Sequence, residues 1–238
     1  MGWRRIALAS LFLILMATPA WAGQNLFIKG VEAQKAGRNK QAVALLSRYV
    51  KQYPQIAEGR RHLAEALAAL GRNREALEQL NQGLAREPGE VQLLVAKANL
   101  LAALDRRPEA IEVLTQALNC DPKNVEALKE RGECRSQEGC FPEAMADLNQ
   151  AVKLAPQDPW VYNKRGMVWF CQGEYRKAVA DFSMAIRLAP DSPYAYFFRG
   201  NMYRFHLGEK DLAIADYRKA CALGFPLACQ ELEKLGAK

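Results

Sequence analysis

Residues 122–156, PKNVEALKERGECRSQEGCFPEAMADLNQAVKLAP, and residues 156–190, PQDPWVYNKRGMVWFCQGEYRKAVADFSMAIRLAP, decide the reading of this chain. Laid on each other at a step of 34 residues, they agree at Gly132/Gly166, Gly139/Gly173, Ala144/Ala178 and the closing Pro156/Pro190, and they place Leu148 against Phe182. The agreement continues outward. Pro54, Pro88 and Pro122 extend the proline register, and Ala42, Ala76 and Ala110 the alanine register. Leu46, Leu80 and Leu114 extend the large apolar register. A small residue recurs at Gly30, Ala64, Ala98 and Gly200, and glycine at Gly37 and Gly71, with Asp105 as the exception. A fixed period of this size is the signature of a stacked repeat protein.

Each register has a physical cause. The small residue lets two helices approach closely. Alanine and the large residue four positions later share one helix face and fill the space between helices. Glycine ends the first helix in a left-handed conformation, and proline ends the second and opens the turn to the next unit. The expected fold is all-α: helix-turn-helix hairpins stacked one after another.

Spacing and residue types resemble the tetratricopeptide repeat over about residues 23 to 223. The resemblance implies a right-handed superhelical solenoid with units at 23–56, 57–90, 91–124, 125–158, 159–192 and 193–224. In the last unit Ala213 stands 35 residues after Ala178, so one residue is inserted, near His206-Leu207-Gly208. A helix over 226–236, opening on Pro226, is read as the cap that solenoids need at an exposed end.

The start of the chain has another character. Arg4 and Arg5 precede the uncharged run 6–17, which is followed by Pro19 and by Ala20-Trp21-Ala22. This is the layout of a secretory signal peptide over 1–22, cleaved after Ala22. The run is short for a membrane span; an uncleaved anchor is the alternative. Removing the two arginines lowers the formal charge from +7 to +5. Lys and Arg alternate with Glu along the rest of the chain, without the basic face of a nucleic-acid binder. The expected location is across the inner membrane, in the periplasm, with no membrane span after cleavage.

Catalysis finds little support. The two histidines, His62 and His206, lie in different units, no phosphate-cradling loop precedes a helix, and no metal-ligand spacing appears. The chain is read as no enzyme, with neither cofactor nor metal. Arg131 and Asp147, Arg165 and Asp181, and Arg199 and Asp216 stand 16, 16 and 17 residues apart. They are read as exposed structural ion pairs, each contributing ~0–1 kcal/mol. Units one to three have Lys29 and Leu45, Leu63 and Gln79, and Lys97 and Val113 instead.

The resemblance implies that the first helices line a concave groove. In unit four the groove positions are Glu126, Lys129, Glu130, Glu133, Ser136 and Gln137. Units five and six bring Trp160, Asn163, Lys164, Met167, Phe170 and Cys171, then Tyr194, Phe197, Phe198, Asn201, Arg204 and Phe205. Such an aromatic cluster marks an interaction site; packing between neighbouring helices is the alternative for any one residue. The Lys-Asn, Asn, Lys-Arg pattern with which some relatives clamp a C-terminal carboxylate is not matched. The expected function is a scaffold that binds a protein or extended peptide in the groove. The alternative is an envelope-assembly factor acting through its outer faces or by self-association.

Six cysteines follow the leader, with no C-x-x-C pair. Cys120 and Cys134 fall where buried apolar residues are expected, and a pairing of Cys140 with Cys171 is a further option. Residues 220–229, ACALGFPLAC, resemble Sel1-like relatives of the family, and that resemblance implies a disulfide between Cys221 and Cys229 that pins the cap to unit six. Two reduced cysteines are the alternative.

Overall fold

The computed structural model describes residues 19–237. The hydrophobic leader before residue 19 lies outside them, and the expected cleavage point after Ala22 falls in the first turns of helix α1. The described residues form thirteen α-helices and no strand, in two compact units, Met1–Arg106 and Arg107–Lys238.

The first unit contains α1 (Pro19–Lys35), α2 (Asn39–Gln52), α3 (Ala57–Ala68), α4 (Asn73–Leu84) and α5 (Val91–Ala103). Successive helices pack as hairpins, and α3 also packs beside α5. Its core is mainly aliphatic: Leu46, Leu63, Leu67, Leu80 and Leu93 are buried with Ala42, Ala64, Ala66 and Ala76, and Tyr49 is buried among them with Phe27 and Tyr53 against its ring. A Cβ on Gly30 would stand 2.8 Å from Leu46, which is why a small residue is required there. At the turn after α5, Asp105 adopts φ 62°, the left-handed conformation that Gly37 and Gly71 supply in the other hairpins. Asp is one of the few residues that tolerate it, so the exception in the glycine register keeps the turn.

The second unit contains α6 (Arg107–Cys120), α7 (Val125–Gln137), α8 (Phe141–Leu154), α9 (Pro159–Cys171), α10 (Tyr175–Leu188), α11 (Pro193–Met202), α12 (Lys210–Ala222) and α13 (Pro226–Lys234). Gly166 lies against Phe182 and Gly200 against Tyr217, where a Cβ would come within 2.9 Å of either ring. Asn124 and Asp158 cap α7 and α9 by accepting from Ala127 and Trp160 amides. The inserted residue of the last repeat does not lengthen the loop. It widens the end of α11 into a π-helical turn, Tyr203–Leu207, closed by Gly208 at φ 73°. Cys221 and Cys229 are disulfide-bonded across the α12–α13 turn with Cα atoms 4.9 Å apart.

The Arg–Asp pairs are not exposed, contrary to the reading from sequence. Asp147, Asp181 and Asp216 are 4–6% exposed. Each accepts two bonds from its arginine, at 2.7–2.9 Å. The remaining guanidinium nitrogen reaches back to the second helix of the preceding repeat. Arg131 donates to Thr115 Oγ1, Arg165 to Asn149 Oδ1 and Arg199 to Ser183 Oγ. Each arginine thus joins three helices. The bonds to Asp181 and Asp216 outweigh burial and hold Arg165 and Arg199 above the usual guanidinium range.

Candidate functional site

Three helices of the second unit, α7, α9 and α11, build a cleft of about 330 Å³. Its walls are Trp160, Asn163, Lys164, Met167 and Cys171 from α9, Tyr194 and Phe198 from α11, and Glu133, Ser136 and Gln137 from α7. Trp160 is 50% exposed and Tyr194 46%, with ring centroids 6.1 Å apart. Pro159 and Pro193 start their helices, so both rings stand in first turns, at the same register. Single exposed aromatics are ordinary; two in tilted contact in the lining of one cleft, at 58° to each other, offer stacking area at little conformational cost.

Of the twelve groove positions expected in units five and six, seven line this cleft: Trp160, Asn163, Lys164, Met167, Cys171, Tyr194 and Phe198. Of the other five, Phe205 is 58% exposed outside the cleft and four have structural partners. Phe170 packs edge-on to His206, whose ring stacks on Tyr175 at 3.9 Å. Phe197 lies against Tyr217 and Phe225 in the core below the cap. Asn201 accepts a bond from the Tyr217 hydroxyl at 2.8 Å. Arg204 pairs with Glu231 of α13. The π-helical turn explains part of this, because it carries Arg204 and His206 toward α13 and α10.

The cap supports the cleft wall. Phe225 lies midway in sequence between Cys221 and Cys229, and its ring meets Tyr194 at 5.1 Å and Phe197 at 4.8 Å. Phe197 in turn meets Phe198 edge-on at 5.5 Å. The disulfide therefore holds the residue that backs Tyr194 directly and Phe198 through Phe197.

Charge on α7 and α9 is arranged in crowded pairs. Lys129 is 9% exposed and contacts Glu126 at 2.7 Å and Asp158 at 3.0 Å. Burial opposes its charge, but these bonds more than offset it and hold the ammonium above its ordinary range. Lys164 contacts Glu130 at 3.0 Å and also Glu133. Burial nevertheless pushes the Glu130 carboxyl up. Asn163 is 9% exposed, and its Oδ1 is buried without a hydrogen-bond partner.

The free cysteines divide. Cys134 is buried, and burial followed by the charges of Glu130 and Glu133 pushes its thiol up to about 11. Cys120, expected to be buried, is exposed, as are Cys140 and Cys171; all four are unbonded. Among the described residues no group of three or more His, Cys, Asp and Glu could hold a metal ion, and no helix is long and apolar enough to cross a membrane.

In the first unit, His62 meets Gln34 at 2.9 Å and Glu65 at 3.3 Å, and Arg61 binds Glu65 at 2.7 Å. Burial would raise Glu65, but bonds from His62 and Gln34 and the charge of Arg61 outweigh it and hold the carboxyl at about 2. Sequence reading also missed Arg60, which is buried and donates to Gln79, Gln82 and the Pro54 carbonyl. It stands three positions before Leu63, off the register of the later arginines, so the period gave no sign of it.

Hairpins of this period, with an aromatic cleft on their first helices, define a repeat protein of the interaction-scaffold class. Tetratricopeptide repeat models match residues 33–98, 95–159 and 170–224, and the chain belongs to the tetratricopeptide-repeat family. A tetratricopeptide repeat protein from Parabacteroides merdae superposes with a TM-score of 0.73 at 20% identity, over 91% of this chain and 85% of that one. PilW, a widely conserved type IV pilus biogenesis factor, gives 0.75 at 20% identity, over 86% and 94%. Pseudomonas aeruginosa PilF gives 0.72 at 18% identity, over 90% and 97%. At these identities the likeness is one of fold. No curated protein matches the chain in sequence.

Proposed function

We propose that this chain is an exported, periplasmic scaffold that binds an extended segment of a partner protein in the concave cleft of α7, α9 and α11. One observation carries the reading: Trp160 and Tyr194 stand half exposed, tilted against each other in the lining of a cleft whose other aromatic wall, Phe198, is braced from behind. Rigid aromatics around a cleft are what anchor residues of a partner require. The charged start, short apolar run and Ala20-Trp21-Ala22 support export, which predicts a mature N-terminus at Gly23; N-terminal sequencing of exported protein checks it, and an intact Met1 would refute it. The fold is shared with PilW, a type IV pilus biogenesis factor, which favours a second reading as an envelope-assembly factor using the outer faces. A photo-crosslinking residue at Tyr194, and another at the exposed Glu143 of α8, separate the two in the native host. Crosslinks to one protein from position 194 alone support the cleft. Crosslinks from position 143 alone support the outer face.

A further inference from the structure

We infer that the occupant of this cleft presents an arginine side chain, so that the site selects a basic segment over an apolar or acidic one. The inference rests on the cleft reading above and adds the chemistry of the ligand. Three features of different origin ask for the same group. First, the cleft lining carries Glu133 and Lys164, and Lys164 is shared with a second carboxylate, Glu130, which leaves negative charge in excess at this wall. Arg107, near the cleft through its bond to Gln137, does not cancel the excess because it faces Glu138 at 3.6 Å. Glu133 lines the cleft and its side chain is 43% exposed, so part of this charge is within reach of a ligand. Second, the Trp160 and Tyr194 rings present π-faces, and these attract a cation, guanidinium above all because it is flat and weakly hydrated. Third, Asn163 is buried in the cleft wall with its Oδ1 unpaired. The protein supplies no donor for that oxygen, and an N–H donor on a ligand is the group it lacks.

A leucine would use the rings but leave Asn163 unpaired and the carboxylates unneutralised. A carboxylate would be repelled by Glu133. Lysine would neutralise charge but carries three donors on a point cation, without the planar fork that stacks and bonds at once. The net positive charge of the remainder of the protein does not oppose this, because charges beyond about 8 Å are screened at physiological ionic strength.

The test titrates the mature protein with three blocked amino acids, the acetyl methylamides of arginine, leucine and glutamate, and follows the Trp160 indole N–H resonance, assigned with Trp160→Phe. The arginine compound is expected to saturate the shift at a concentration about ten-fold lower than the leucine compound, as a stacked, charge-assisted contact would give. Added salt and Glu133→Gln should each weaken it, and the glutamate compound should leave the resonance in place. Equal or tighter binding of the leucine compound overturns arginine selection and leaves the cleft as an apolar anchor site. No shift of Trp160 with any of the three counts against both arginine selection and the cleft reading.

Discussion

The two units make the same hairpins with different interiors. In the first, the helices are held mainly by aliphatic packing, with Tyr49 as its buried aromatic, and its buried arginine, Arg60, is met by neutral oxygens of Gln79, Gln82 and Pro54. Burial and then the charge of Arg86 push that guanidinium below its usual range. In the second, three arginines are each clamped by a buried aspartate and reach back to an earlier helix, and two of the largest fully buried side chains are Phe182 and Tyr217. The exposed faces differ in parallel. Among the described residues of the first unit the exposed large apolar side chain is Ile28, whereas the second exposes Trp160, Tyr194 and Phe205 among others. A unit that leaves aromatics in solvent cannot also use them as core, and the ion pairs supply specific ties between its helices. Exposed aromatics and buried ion pairs are concentrated in one half of the chain.

The largest effect should come from breaking one of those ties. Asp181→Ala leaves Arg165 partly buried with only Asn149, and removing one partner of a buried pair costs about 3 kcal/mol or more. Gln79→Ala in the first unit removes one bond to Arg60 and should cost about 1 kcal/mol. Chemical denaturation of both variants compares them; equal costs would end the contrast between the two interiors. Next comes the cap. Opening the Cys221–Cys229 loop with Cys221→Ser and Cys229→Ser should lower stability by roughly 2.5 kcal/mol on the chain-entropy estimate. Because Phe225 backs Tyr194, partner affinity should fall as well. Affinity unchanged in the reduced protein would show that the cap does not brace the cleft.

A further effect, reduced by solvent screening because the Glu65 side chain is 36% exposed, belongs to the first unit and to pH. Glu65 sits at about 2 in the folded chain against an ordinary value of 4.5. A depressed carboxylate stabilises the fold above its unfolded value, and that contribution is lost as pH falls from about 4.5 toward 2. Glu65→Gln should therefore flatten the acid limb of the stability profile in that window. An unchanged acid limb would show that His62, Gln34 and Arg61 do not hold the carboxylate in solution.

The fold was legible in the sequence because its causes repeat. Gly166 facing Phe182 needs a small residue wherever the hairpin recurs, so a period of 34 writes it into the sequence. The arginine–aspartate spacing was legible too, but not its burial, which depends on how closely the helices pack. Thr115, Asn149 and Ser183 were missed, although they stand 34 apart; their residue types differ, and only their shared ability to accept from arginine unites them. The cleft was half legible. A position on a first helix fixes the face but not the neighbours, so Phe170 and Phe197 read like Trp160 and Phe198 until the π-helical turn and the cap supplied the rings that cover them.

The central claim is that the aromatic cleft carries partner binding, and one measurement meets it most directly: the affinity of the crosslinked partner for the Trp160→Ala, Tyr194→Ala double variant. Both side chains are about half exposed, so the variant should keep the helicity and unfolding transition of the parent. Two anchor aromatics lost should weaken binding by about 100-fold, at 1–2 kcal/mol each. Parental affinity in a folded double variant would contradict the account.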